Sequence, residues 1–147
     1  MSGYDSRGRR WPVRLMRATA VLVLLDTLAQ AALAGLFVTG DLDLLVWHSA
    51  NADILAALTL LQAAAAAAVW RRLGGPAWPL AASIALAALV GAQQALGEAR
   101  VLAAHMPLGM AIFGRAAAMV CWAFTYCPRP RPRRTEQERP EPVEVAQ

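Results

Sequence analysis

Four long apolar segments constrain the fold of this chain more than any other feature of its sequence. They cover residues 18–38, 47–70, 78–97 and 101–126. Each is close to the length of about 20 residues that an α-helix needs to cross the hydrocarbon core of a bilayer. A membrane-spanning strand would be shorter and would alternate apolar and polar residues. Alanine-rich runs such as LLQAAAAAAVW do not alternate in this way, so the sequence predicts an all-α integral membrane protein.

The connections between these segments are short. They read TGDLDLLV, RRLGGPA and EARVL. Short links make consecutive helices antiparallel neighbours. We therefore expect one transmembrane domain, residues 18–126, folded as an up-down-up-down four-helix transmembrane bundle. In such a bundle the second and fourth helices run in the same direction and lie diagonally opposite each other.

Arginines flank the apolar segments in three groups, and they predict the orientation. All 14 basic residues are arginine, and the formal net charge is +4. Cytoplasmic loops of membrane proteins carry the excess of positive charge, which places both termini in the cytoplasm. Charge confined to segment ends does not suit nucleic-acid binding. The three groups are Arg7, Arg9, Arg10, Arg14 and Arg17; Arg71 and Arg72; and Arg129, Arg131, Arg133, Arg134 and Arg139.

Two polar segments flank the bundle. Residues 1–17 form a basic cytoplasmic N-terminal segment. Residues 127–147 are rich in proline and charge, which predicts a disordered cytoplasmic tail because such a composition cannot bury an apolar core. The abundance of alanine, with arginine in place of lysine, indicates a GC-rich bacterial genome. We expect a multi-pass protein of the bacterial cytoplasmic (cell) membrane.

The chain has only two histidines, His48 and His105. They lie near the outer ends of the second and fourth helices, at matched depth, and are diagonal partners in the predicted bundle. Two imidazoles facing each other there leave room for one metal. A bare ion would need further ligands, whereas a porphyrin supplies four of its own, so the pair favours haem iron. The alternative is a pair of polar residues at the membrane interface.

Three further residues are candidates for the same cofactor site. Asn51 follows His48 by about one turn, and Gly109, beside His105, leaves room for a flat ligand. Arg100 is the only arginine expected on the outer side, where it could pair with haem propionates. The alternative for Arg100 is a surface ion pair with Glu98, Asp41 or Asp43.

Asp26 and Arg115 are the charges deepest in the apolar segments. Because an unpaired charge within a membrane is costly, and because the first and fourth helices are neighbours, we expect an Asp26–Arg115 ion pair. A proton relay through Asp26 is the alternative. Five amide side chains can join helices through hydrogen bonds. They are Gln30, Asn51, Gln62, Gln93 and Gln94.

The segments QAALAGLFVTGDLDLLVWH and QQALGEARVLAAHMPLG resemble one four-helix half of the haem A synthase family. They are also similar to small, uncharacterised four-helix bacterial membrane proteins with the same two histidines. The resemblance implies that His48 and His105 ligate haem b. Haem A synthase has eight helices and a catalytic carboxylate in its outer loops. None of the acids of this chain is matched to that carboxylate, so the resemblance does not extend to haem A synthesis.

Three function classes remain open from the sequence. The first is electron transfer by a b-type haem protein, with quinone or an extracytoplasmic redox partner. The second is a cofactor-free structural or accessory subunit of a membrane complex or homo-oligomer in the lipid bilayer. The third is a small transporter-like protein using Asp26 and Arg115. No Walker loop, dinucleotide fingerprint, GxSxG or HExxH motif is present, and no catalytic residue can be assigned.

Overall fold

The computed structural model describes residues 11–128, apart from the side chain of Phe37. Within them the chain forms four helices, α1 to α4, each long and apolar enough to cross a membrane. This confirms the predicted all-helical architecture, and the length and composition of the four helices suit a multi-pass membrane protein. Most of the predicted basic segment and nearly all of the predicted tail lie outside the described residues. The helices are α1 Trp11–Val38, α2 Leu44–Leu73, α3 Trp78–Glu98 and α4 Leu102–Thr125.

The predicted boundaries of the first two helices need correction. Helix α1 begins at Trp11 instead of residue 18, and α2 covers Leu44–Leu73 instead of residues 47–70. Apolar stretches mark where a chain can meet lipid, whereas backbone hydrogen bonds continue a helix through charged residues. Arginine is a good helix former, so α1 can include Arg17. The Nε atom of Arg17 also donates to the carbonyl oxygen of Ala123 in α4 at 3.0 Å.

The four helices pack in a ring. Helix α1 contacts α2 and α4, and α3 contacts α2 and α4. The helices α2 and α4 therefore face each other across the bundle, as the short connections predict. We call the end that carries the α1–α2 and α3–α4 turns the histidine end. The opposite end carries Trp11, the α2–α3 turn and Thr125.

The apolar core fills only part of the bundle. It reaches the opposite end, where Val13, Met16 and Ala123 are buried close to helix termini. A second cluster in the middle contains Val23, Leu55, Leu86, Val90, Ile112 and Ala116. Towards the histidine end, none of the described side chains beyond Thr27, Leu55, Val90 and Ile112 is buried.

The length of bundle without a core is considerable. From Val90 to the end of α3 at Glu98 it measures about 12 Å, and from Thr27 to the end of α1 at Val38 about 16 Å, at roughly 1.5 Å per residue. The histidine end therefore brings four helix ends together around polar and partly exposed side chains.

Large apolar side chains cover the outside of the bundle. Leu25, Leu60, Ile84 and Met110 are exposed, one on each helix. A water-soluble protein of this size rarely exposes so much apolar surface. Together with the length of the helices, this surface is what a protein in a lipid bilayer requires.

Each of the three turns between helices contains one residue with a positive φ angle. In the first two turns it is a glycine, Gly40 at 116° and Gly74 at 63°. In the α3–α4 turn it is Arg100, at 58°. The amide of Arg100 donates to the carbonyl of Gly97 at 3.0 Å, and that of Val101 to Leu96 at 2.9 Å. This is the Schellman pattern of helix termination, in which glycine usually occupies the left-handed position.

Candidate functional site

The structure brings His48 and His105 together at the histidine end. Their ring centres are 6.4 Å apart, with the ring planes inclined at 55°. His48 lies near the start of α2 and His105 near the start of α4. Because these helices run in the same direction and face each other across the bundle, the two rings meet at the same depth. The rings lie beyond the middle core cluster, towards the end where none of the described side chains is fully buried.

A backbone carbonyl fixes the proton of His105. The Nδ1 atom lies 2.9 Å from the carbonyl oxygen of Gln93 in α3. Since a carbonyl oxygen only accepts, Nδ1 carries the proton and donates. The neutral ring then has its electron pair on Nε2, for which the described residues provide no hydrogen-bond donor. Metal-binding histidines usually donate one ring N–H to an acceptor such as a backbone carbonyl. The same arrangement here leaves Nε2 of His105 available to a metal.

Gly97 makes room for this ring position. A Cβ atom added at Gly97 would lie 3.1 Å from Cε1 of His105 and 3.3 Å from its Nδ1. Both distances are shorter than ordinary van der Waals contact. The absence of a side chain at Gly97 therefore lets the imidazole lie directly against α3.

His48 is held from the opposite side, by Gln30 of α1. The Nε2 atom of Gln30 lies 3.3 Å from Nε2 of His48 and donates to the His48 carbonyl oxygen at 3.0 Å. The Nδ1 atom of His48 is buried and has no hydrogen-bond partner among the described residues. A buried nitrogen without a hydrogen-bond partner is costly.

Gln30 belongs to a chain of hydrogen bonds that ends at Asp26. Asn51 donates to Oε1 of Gln30 at 2.8 Å, to the Asp26 carbonyl at 3.3 Å and to Oδ2 of Asp26 at 3.5 Å. The structure thus places the predicted site residue Asn51 one step behind His48, with Gln30 between them. The same contacts confirm that Gln30 and Asn51 join helices α1 and α2.

Gly109 and Gln93 form the α3–α4 side of the site. A Cβ atom added at Gly109 would lie 3.0 Å from Nε2 of Gln93. Oε1 of Gln93 is buried without a partner in the described part of the chain. The Gln93 amide therefore lies in the space beside Gly109 that the sequence predicts for a flat ligand. Gln30 and Gln93 could be recognised in the sequence as helix-joining amides but not as neighbours of the histidines.

The predicted Asp26–Arg115 ion pair does not form, and that prediction is wrong. Asp26 accepts from Asn51 in α2, whereas Arg115 donates from Nε and Nη2 to the carbonyl of Ala82 in α3, at 3.3 and 3.1 Å. The two side chains turn to different sides of the bundle. Asp26 and Arg115 lie at similar depths along the bundle. The rotation of α1 and α4 about their own axes nevertheless directs the two side chains to different neighbouring helices.

Arg100 lies at the rim of the site, in the turn that precedes α4. Its side chain is exposed. The described residues contain no group of three or more histidine, cysteine or acidic side chains that could hold a metal ion. Two imidazoles without further protein ligands suit only a metal that arrives with other ligands already bound.

Comparisons with protein-family models, with curated proteins and with solved structures find no match to this chain. The resemblance to one half of haem A synthase therefore stays a prediction. The functional argument rests on the geometry at the histidine end.

Proposed function

We propose that this chain is a small membrane haem protein that binds one b-type haem between His48 and His105 and transfers electrons. The observation that carries the proposal is the separation of 6.4 Å between the two ring centres. Imidazole nitrogens bind metals at about 2.0–2.1 Å, so two rings on opposite sides of one iron have centres roughly 6 Å apart. The pair thus has the spacing of two axial ligands.

The protonation of His105 supports the same function. Iron needs an unprotonated imidazole nitrogen, and the hydrogen bond from Nδ1 to the carbonyl of Gln93 leaves Nε2 in that form. On His48, the ligand-free protein has Gln30 hydrogen-bonded at Nε2. Haem binding would exchange that neutral hydrogen bond for a bond to iron.

The missing core at the histidine end supports a bulky occupant. Four helices that are packed around apolar side chains elsewhere enclose only polar and partly exposed groups there. A flat apolar macrocycle would supply the buried surface that the protein itself does not provide.

Two histidine ligands make electron transfer the chemistry of such a haem. His48 and His105 would hold the haem between them and leave no iron site free for oxygen or substrate, so the chemistry that the group would supply is one-electron transfer. The positive-inside distribution of arginines supports an orientation with the histidine end at the outer face of a bacterial cytoplasmic membrane. The electron partner there would be a quinone or an extracytoplasmic protein.

An absorption spectrum of the detergent-purified protein tests this proposal. With haem supplied during expression, we expect a Soret band and sharp α and β bands after reduction with dithionite. His48→Ala and His105→Ala should each lose the six-coordinate spectrum, because each removes one axial ligand. Gln94→Leu is the matched control, since Gln94 points to Asp53 instead of the histidines.

Two outcomes would contradict the proposal. A protein without a Soret band would favour the cofactor-free accessory subunit. If the haem spectrum is unchanged when both His48 and His105 are substituted, other residues are the ligands.

A further inference from the structure

We propose that Gln30 is the positioning residue of His48: its amide keeps the ring proton on Nδ1 and the electron pair on Nε2. This gives His48 the same tautomer as His105. The functional meaning of this inference rests on the proposed haem site, whereas the tautomer itself is a property of the haem-free protein.

The direction of each hydrogen bond follows from the Asp26 end of the hydrogen-bond chain. Both Asp26 atoms that Asn51 contacts are acceptors when the carboxylate is ionised, so Asn51 presents its nitrogen to them. The same nitrogen donates to Oε1 of Gln30 at 2.8 Å. The oxygen of the Gln30 amide is therefore engaged on the α2 side, and its nitrogen is directed to His48.

The amide nitrogen of Gln30 can only donate. It has two hydrogens and two acceptors within reach, the carbonyl oxygen of His48 at 3.0 Å and the ring Nε2 at 3.3 Å. For Nε2 to accept, it must be unprotonated. The proton of the neutral ring then lies on Nδ1, the atom that is buried without a partner.

The two rings reach the same state by opposite means. His105 donates from Nδ1 to a carbonyl acceptor, which fixes its proton directly. His48 accepts at Nε2 from an amide donor, which fixes its proton by exclusion. Both rings consequently present an Nε2 electron pair. Gln30 thus sets the tautomer of His48 in the haem-free protein while it occupies Nε2, the nitrogen that iron would need.

Nitrogen NMR of the haem-free protein tests the inference. With ¹⁵N-labelled histidine at a pH of about 8.5, above the ordinary histidine pKa of about 6.5, both rings should show a protonated Nδ1 and an unprotonated Nε2. In Gln30→Leu, a variant of similar size without a donor, at least a fifth of His48 should move its proton to Nε2. His105 should be unchanged in the same sample and serves as the internal control.

A second variant covers the case in which Gln30→Leu does not fold. Asn51→Leu keeps Gln30 but removes the donor that holds its oxygen, so the Gln30 amide can turn over. We expect the same shift of the His48 proton. The inference is overturned if His48 carries its proton on Nε2 in the unsubstituted protein, or if both variants leave the His48 signals unchanged.

Haem loading is measured separately from the tautomer, because iron would displace the Gln30 amide from Nε2. The expected tautomers in a protein that never binds haem would support the hydrogen-bond assignment and reject the proposed function, so the two failures are distinguishable.

Discussion

At the scale of single residues, Arg100 occupies a backbone conformation that the other two turns give to glycine. A side chain in the left-handed region costs roughly 1–2 kcal/mol. Arg100 has φ 58°, close to the 63° of Gly74 at the end of α2. Strain of this kind is often maintained at functional positions. A cationic side chain at the rim of the histidine site would bind an anionic group such as a haem propionate.

Replacing Arg100 with glycine should therefore stabilise the haem-free protein. We expect a gain of about 1 kcal/mol in the free energy of unfolding, because relief of strain exceeds the extra entropy of glycine in the unfolded chain. Unfolding by titration with a denaturing detergent measures it. Arg100→Ala keeps the strain and should show no gain, while haem retention should fall in both variants. Equal free energies of unfolding for Arg100→Gly and Arg100→Ala would show that the backbone at Arg100 is not strained.

At the scale of helices, α3 carries two glycines with different surroundings. Gly97 lies against the ring of His105, whereas Gly91 has no atom within 4 Å of an added Cβ. We expect Gly97→Ala to displace the imidazole and break the bond from Nδ1 to the carbonyl of Gln93. Gly91→Ala should instead stabilise the helix by up to about 1 kcal/mol, since alanine is the better helix former.

Unfolding curves and the ¹⁵N signals of His105 check this pair of variants. The signals should change in Gly97→Ala and stay constant in Gly91→Ala. An unchanged His105 in Gly97→Ala would mean that the ring does not rest on α3.

Helix rotation marks the limit of what the sequence could predict at this scale. Length and hydropathy identified four helices, and short connections identified their neighbours. They also gave the common depth of His48 and His105. The sequence could not show that Asp26 turns towards α2 and Arg115 towards α3. Core-facing and lipid-facing residues are equally apolar in these helices, so periodicity hardly distinguishes one helix face from another.

At the scale of the whole molecule, orientation in the membrane can be tested with the native cysteines. Cys127 follows the end of α4 and is exposed, whereas Cys121 lies within α4. If the opposite end faces the cytoplasm, a membrane-impermeant maleimide should label Cys127 in inside-out vesicles and leave it unlabelled in intact spheroplasts. Cys121 is exposed as well, but in a membrane its side chain would face lipid, so it should stay unlabelled in both.

The control is a variant that lacks both cysteines and carries Glu98→Cys, at the end of α3. Its labelling pattern should be the reverse, since Glu98 lies at the histidine end. Labelling of Cys127 from outside would invert the topology and place the histidines at the cytoplasmic face.

The missing core at the histidine end was also beyond the reach of the sequence. The segments are apolar up to their ends, so nothing in Leu28, Leu36 or Leu45 shows that these side chains are exposed instead of packed inside. Only the arrangement of all four helices reveals where their apolar faces meet. The same arrangement brings Gln30 and Gln93, which are far apart along the chain, to the two histidines.

This uneven core has a consequence for the order of assembly. The part of the bundle from Trp11 to the level of Val90 contains its own apolar filling and can pack as soon as the four helices are inserted. The histidine end gains comparable buried surface only from whatever binds there. A ligand that binds the folded form alone stabilises it by mass action. If the proposed haem binds there, closing the histidine end would be the last step of maturation and would wait for the haem.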